Sequence, residues 1–171
     1  MKKLGNRTLL FMFVAAGLAS GAAAVLFHDA IVVSRRLLLD RAMHTTGFTR
    51  AALLIAIPTL TAAMLGWIVQ RFAPSVLGAN LARVRRGYLE DVRHLGARTV
   101  LFTFLLTPLS LGSGAPLGPE GPTVVVTSGL SVWIARVLKL PRKVLRGMVP
   151  VGTAAGSLVI RLTAPPMASL P

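Results

Sequence analysis

Long apolar runs constrain this chain more than any other feature of its sequence. The first extends from Thr8 to Val33, and further runs, separated by short basic connections, fill most of the remaining length. A run of about 20 apolar residues can cross a bilayer as a helix. Lipid offers the backbone no hydrogen-bond partners, so a spanning segment of this kind must satisfy its own, as a helix does. The pattern predicts an all-α integral membrane protein.

Composition agrees with this interpretation and limits the alternatives. Of the 171 residues, 54% are hydrophobic, and the net charge is +14. The mean hydropathy of +0.71 is too high for a soluble domain of this size. The basic residues lie between the apolar runs, where Lys and Arg meet lipid headgroups. A basic nucleic-acid-binding protein is the alternative, but no basic face adjoins a recognition fold, so we expect no nucleic acid as a partner.

The apolar runs divide a single transmembrane domain, residues 1–171, into segments. We predict helices over residues 8–33, 51–70, 97–110, 121–138 and 144–160, and an irregular tail over 161–171. A polar connection is expected from Ser34 to Arg50, an interruption of the third helix at Pro108, and a short interfacial helix over 78–96. The basic start resembles a secretory signal, but the first run is too long for a signal core, which favours a retained helix.

Small residues recur at helical spacing in two of these segments. Gly17 and Gly21 form one pair in the first helix, and Gly152 and Gly156 form another in the last. Pairs of this kind allow helix backbones to approach closely in membranes. We therefore expect both pairs to lie at helix–helix contacts.

One stretch, Leu111–Thr123, interrupts the apolar region with residues that cannot propagate a helix. It contains four glycines and three prolines. In its middle is Glu120, the only acidic residue after Asp91. A carboxylate at a bilayer centre costs about 2.5–3.5 kcal/mol on insertion scales, so such groups are functional candidates by default. The stretch predicts a broken helix with a buried carboxylate at the break, an arrangement that membrane transporters use for small ions.

The helix expected to begin at Gly121 would present unpaired N–H groups and a partial positive charge to an anion. Pro122 suits its first turn, where no donor is needed. The glycines would let an ion approach the backbone, and hydroxyls could add donors at Ser113, Thr123, Thr127 and Ser128. Glu120 would compete with a mobile anion for the same donors, which gives a basis for gating. The alternative, equally weighted on the residues alone, is that Glu120 only caps the helix.

The segment Gly118-Pro119-Glu120-Gly121-Pro122-Thr123-Val124 resembles the Gly-Arg/Lys-Glu-Gly-Pro-x-Val signature of the CLC chloride channels and chloride/proton exchangers. Two other stretches are similar to the family: Ala73-Pro74 with Tyr88-Leu89-Glu90-Asp91, and Gly152-Thr-Ala-Ala-Gly156. The likeness covers most of the chain from about Leu53. It implies a partial inverted-repeat bundle with broken helices, as in that family.

The resemblance also implies a function and a set of site residues. Glu120 would be the gating carboxylate, and Gly118, Gly121, Thr123 and Val124 would line the anion site. Chloride or another small anion would be transported, by a voltage-gated channel or by antiport with protons. The lipid bilayer of the cell membrane would surround a multi-pass protein, with a homodimer as the family's assembly.

The chain departs from the family pattern at three places. Pro119 stands where the family has Arg or Lys, and Ala79 replaces an anion-coordinating serine, with Asn80 as a possible substitute donor. After Gly156 the family continues with Phe-Asn-Ala-Pro, whereas this chain reads Ile160-Arg-Leu-Thr-Ala-Pro. These features, with the short length, make the chain look like a truncated first half, and a non-conducting membrane fragment or assembly partner is the alternative function.

The sequence offers no signs of other chemistry. It contains no cysteine, and its three histidines have no ligand-like spacing. No nucleophile–base pair is visible. We therefore expect no metal site, no cofactor and no enzymatic activity.

Overall fold

The computed structural model describes residues 6–72, 74–76, 84–85, 88 and 96–163. Its described residues form helices joined by short turns, with no strand among them, which confirms the predicted all-α class. Five α-helices have both ends within the described residues: α1, Asn6–Met43; α2, Gly47–Phe72; α3, Ala97–Gly112; α4, Glu120–Val137; and α5, Arg142–Thr163. A 3₁₀ turn, Pro74–Val76, follows α2. The predicted interfacial helix over 78–96 falls almost entirely outside the described residues.

Four helices extend past the bounds expected from hydropathy, and for α2 (Gly47–Phe72, expected over 51–70) the difference is a few residues at each end. α1 continues to Met43, through the connection predicted to begin at Ser34. Ser34 and Ala42 are buried, so packing on other helices supports α1 beyond its last apolar run. α3 passes through the buried Pro108 without a break and ends at Gly112. α5 ends at Thr163, so the first residues of the expected irregular tail are helical.

α4 is the central helix of the fold. Ten of its 18 residues are buried, including every position from Thr123 to Gly129. A helix buried on all sides lies in the core of a bundle. α1, α3 and α5 pack around it, while α2 packs on α1 and α3. α4 is therefore surrounded by protein, and α2 is the helix most exposed at the surface.

Two segments are long and apolar enough to cross a membrane: Leu9–Asp40 of α1 and the whole of α2. No other helix in the described part of the chain meets both conditions. The predicted spans over 121–138 and 144–160 are thus helical but not independently apolar enough. They consist of more polar helices that depend on neighbouring helices for cover.

α4 and α5 form a hairpin beside the first half of α1. α4 runs antiparallel to α1, because Thr123 near its start shares a cavity with Phe27, whereas Ser131 further along meets Ser20. α5 returns parallel to α1. A Cβ added at Gly147, near the start of α5, would lie 3.4 Å from the Phe13 ring. The start of α4 and the end of α5 therefore meet near the middle of α1.

Small residues bring the two arms of this hairpin into close contact. A Cβ at Gly152 would lie 2.6 Å from the Ser128 Cα atom, and one at Gly156 would lie 2.5 Å from Thr127 Oγ1. Both glycines are thus required for the observed spacing, as the sequence predicted. In the other predicted pair, Gly17 makes ordinary contact with Val151, but a Cβ at Gly21 would meet nothing within 4 Å.

A buried polar contact joins α1 to α4. Ser20 Oγ lies 2.7 Å from Ser131 Oγ and donates a hydrogen bond to the Thr127 carbonyl oxygen at 3.2 Å. All three residues are fully buried. Because a buried hydroxyl without a partner is costly, this pairing fixes the height of α4 along α1.

Candidate functional site

The break predicted at Leu111–Thr123 is present, between Gly112 and Glu120. A Cβ on Gly112 would lie 2.5 Å from Ser34 Cβ, so the end of α3 is tightly packed on α1. Gly114 then turns the chain with a φ of 93°, a conformation that side chains disfavour. The chain leaves α3 beside Ser34 of α1 and enters α4 near Phe27, about two turns closer to the N-terminus of α1.

α4 begins at Glu120, and Pro119 takes the N-cap position. No side chain caps this end. The first turn of a helix leaves its N–H groups without intrahelical partners. Pro119 and Pro122 have no N–H, so the amides available at this end are those of Glu120 and Gly121. The next amide, of Thr123, already donates to the Pro119 carbonyl oxygen at 3.0 Å.

The hydroxyls near this helix end are bonded to backbone carbonyls. Thr123 Oγ1 donates to the Pro119 carbonyl at 2.7 Å, and Thr127 Oγ1 donates to the Thr123 carbonyl at 2.9 Å. Ser113 and Ser128 bond in the same way to residues three or four positions earlier. These hydroxyls are buried and already donate to local carbonyl oxygens, and their expected role as anion donors stays a prediction.

A cavity of about 450 Å³ lies between the start of α4 and the last three turns of α5. Its lining residues are Glu120, Gly121, Val124, Thr153, Ser157, Ile160 and Arg161. The two residues that carry the available amides of α4 therefore line the cavity, and one acidic and one basic residue are among its lining residues. Neither a Cβ at Gly118 nor one at Gly121 would meet any atom within 4 Å, so the approach to this helix end is open.

The family model described as voltage gated chloride channel matches residues 61–157, which is more than half of the chain. The chain belongs to the voltage-gated chloride channel family. The match includes the break, all of α4 and most of α5. In this channel family member, the Glu-Gly-Pro motif thus coincides with the first turn of the central helix.

One expectation about this chloride channel family site is wrong in the structure. The sequence predicted a buried carboxylate, but Glu120 is exposed. The physical reason is its position as the first residue of α4, where the described helices surround the body of the helix but leave its first turn uncovered. Gly118 is also exposed, and Gly121 is half-buried.

The other predicted anion-site residues are placed differently. Thr123 and Val124 are buried, and Val124 also lines the cavity. Asn80 lies outside the described residues. The structure thus brings Glu120, Gly121 and Val124 to one cavity, while anion binding by any of the predicted residues stays a prediction.

Sequence reasoning missed two residues at this end of the fold. Arg161 lines the cavity with Glu120, although it was expected to lie in an irregular tail. His28, set aside as scattered, lines a neighbouring cavity of about 230 Å³ with Pro119 and Thr123. The available signal was that each is an ionisable residue inside or directly after an apolar run, which favours a functional role.

Proposed function

We propose that this chain contributes a chloride pathway across a membrane, with Glu120 as its gating carboxylate. The family match supports this proposal, because the family consists of transporters and channels rather than enzymes. The single observation that carries the proposal is that Glu120 and Gly121, whose amides have no intrahelical partner, line one open cavity. Amides at a helix start attract anions, and an adjacent carboxylate competes with an anion for them.

The depth of this site supports the proposal. Midway along the candidate span Leu9–Asp40 lie Ala24 and Val25. Ala24 lines the same cavity as Pro119 and Thr123, at the start of α4. A helix that begins near the middle of the membrane directs its positive end towards the midplane, where transporters built on broken helices bind their substrates.

Chloride efflux from proteoliposomes tests the proposal. We expect efflux by the native chain to change in rate or pH dependence in Glu120→Gln and Glu120→Ala, because both variants remove the charge that competes with chloride. Asp29→Asn is the matched control, since Asp29 is an exposed acid on α1 that lines neither of the two cavities. Proton movement measured with the efflux separates an exchanger from a channel.

The uncovered side of Glu120 favours a second form of the proposal, in which the pathway needs further protein to close it. Exposed polar groups at membrane depth are stable only where protein or water covers them. The chain would then act as an assembly partner that conducts only with a supplied second half of the family's repeat. Absence of chloride flux both for the chain alone and with such a half would refute the anion pathway.

A further inference from the structure

Basic residues from two distant parts of the sequence lie at one end of the fold. Ala16 of α1 forms a buried cluster with apolar residues of the α4–α5 hairpin turn, and Phe13 packs against that cluster. Arg7 precedes Phe13 on the same helix by about 9 Å. Arg7 is therefore at the same end as Lys139 in the hairpin turn and Arg146 near the start of α5. All three are exposed, and we call them the basic surface.

The helices around the basic surface do not balance its charge. The acidic residues of the five described helices are Asp29, Asp40 and Glu120. Asp29 lies about 33 Å further along α1 than Arg7, and Asp40 lies beyond it. Glu120 is at the opposite end of α4, whose 18 residues extend about 27 Å. An unbalanced positive surface of this kind favours a negatively charged partner.

Lys139 ends α4 in an unusual backbone conformation. Its φ is 51°, and in the described part of the chain no other residue except glycine has a positive φ. The Leu140 amide donates to the Ala135 carbonyl oxygen at 3.0 Å, a pairing that commonly ends helices with glycine at the position of Lys139. Lysine is strained in this conformation, whereas glycine is not. The chain thus keeps an exposed cation where glycine would fold more easily, which favours a role for the charge.

Exposed apolar side chains border the basic surface. They are Leu10, Phe11, Trp133, Val137 and Leu138, and they are between 46% and 74% exposed. The candidate span of α1 also begins here, at Leu9. A dissolved polyanion would cover the cations but leave these apolar side chains in water. A membrane lipid carries a phosphate and acyl chains in one molecule, so it covers both, and tryptophan is typical of this interface.

We propose that the basic surface binds the phosphate groups of anionic membrane lipids, with the acyl chains against the neighbouring apolar side chains. Anionic headgroups attract Lys and Arg at a membrane surface. A zwitterionic lipid offers the same phosphate with a neutralising ammonium group, so we expect a preference for lipids of net negative charge. This site is at the opposite end of α4 from Glu120, and it does not depend on a chloride pathway.

Native mass spectrometry of the purified chain tests this preference. The chain is mixed in detergent with phosphatidylglycerol and phosphatidylcholine that carry the same acyl chains, and the bound lipids are counted. We expect the native chain to retain more phosphatidylglycerol than phosphatidylcholine. Arg7→Gln and Lys139→Gln should each reduce phosphatidylglycerol retention about fivefold, the weight of one cation at an anionic membrane surface. The double variant should lose more than either, and Lys139→Arg should retain the native preference.

Two further variants separate lipid binding from a structural role. Arg36→Gln removes an exposed arginine towards the other end of α1, one turn before Asp40 on the same helix face, and should leave the lipid preference unchanged. Lys139→Gly removes the charge and also relieves the left-handed conformation. It should unfold at the same temperature as the native chain or higher, while its preference for phosphatidylglycerol falls as in Lys139→Gln.

Equal retention of the two lipids by the native chain would overturn the inference, as would equal phosphatidylglycerol retention in Lys139→Gln and Arg36→Gln. Displacement of phosphatidylglycerol by inorganic phosphate at the concentration of the lipid would also overturn it, because the surface would then bind free phosphate. A lower unfolding temperature of Lys139→Gly with an unchanged lipid preference would assign the cation to the helix dipole instead. None of these measurements involves chloride flux, so the proposed function stands or fails separately.

Discussion

At the scale of single residues, glycines decide how closely α4 and α5 approach. Their small-residue spacing allowed the close contacts of Gly152 and Gly156 to be predicted from the sequence, and the structure confirms them. The same pattern at Gly17 and Gly21 gave a true contact only for Gly17. Spacing identifies which residues share a helix face, but the partner helix determines which of them touches backbone.

Alanine at Gly152 should destabilise the fold by about 1–3 kcal/mol, the usual cost of overpacking. Its Cβ would collide with the Thr127 carbonyl oxygen and the Ser128 Cα, and backbone atoms in a packed helix cannot move aside cheaply. Unfolding of the purified chain in mixed detergent micelles measures this loss. Gly21→Ala is the matched control, because a Cβ there meets no atom within 4 Å. Equal stability of both variants would contradict the packing described here.

Exposure of Glu120 was not predictable at this scale. Hydropathy around the motif indicated burial, because the flanking residues are apolar. Burial of a given side chain depends on which elements cover it, and the described helices enclose Thr123 and Val124 but not the preceding turn. The exposed carboxylate is thus a property of tertiary arrangement rather than of local sequence.

At the scale of the elements, the break between α3 and α4 was the most predictable feature. Gly and Pro residues are strong signals for the end of a helix, because their backbone preferences are local. The ends of α1 and α5 were less predictable, since packing extends both helices through charged residues. Pro108 illustrates the same limit: a single proline inside a packed helix does not end it.

The hydroxyl contact between Ser20 and Ser131 should couple α1 to α4 energetically. We expect Ser20→Ala and Ser131→Ala each to destabilise the chain, and the double variant to lose less than the sum of the two. The coupling energy should be about 0.5–1.5 kcal/mol, as for a typical buried hydrogen bond. Denaturation of all four chains in detergent gives the cycle. Ser157→Ala, on the cavity side of α5, should show no coupling with Ser20→Ala.

At the scale of the whole molecule, the all-α membrane class and the family followed from the sequence, because apolar length and a rare motif are both visible there. Which helices are exposed and which are enclosed by protein did not follow from the sequence. α2 exposes large apolar side chains such as Phe48 and Ile55, whereas α4 is enclosed by protein. Both appear as apolar runs in the sequence, and only the packing distinguishes an exposed helix from a core helix.

The exposed apolar surface of α2 predicts how the protein behaves in fractionation. We expect the chain to stay in membranes through washes with concentrated salt or alkaline carbonate and to dissolve only in detergent, because lipid covers this surface. Immunoblotting of the fractions measures the outcome. A peripheral membrane protein bound through charge provides the control, since salt releases it. Release of this chain by salt alone would instead favour the basic, nucleic-acid-binding alternative.

The length of α1 has a geometric consequence for the arginines near its end. Its 38 residues extend about 57 Å at ~1.5 Å per residue, nearly twice the ~30 Å thickness of bilayer hydrocarbon. Even an inclination of about 40°, near the upper limit for spanning helices, reduces its vertical extent only to about 44 Å. If α1 spans the bilayer, it must therefore extend beyond the hydrocarbon core as a helix. Arg35 and Arg36 can thus reach the aqueous phase while they are part of the same continuous helix.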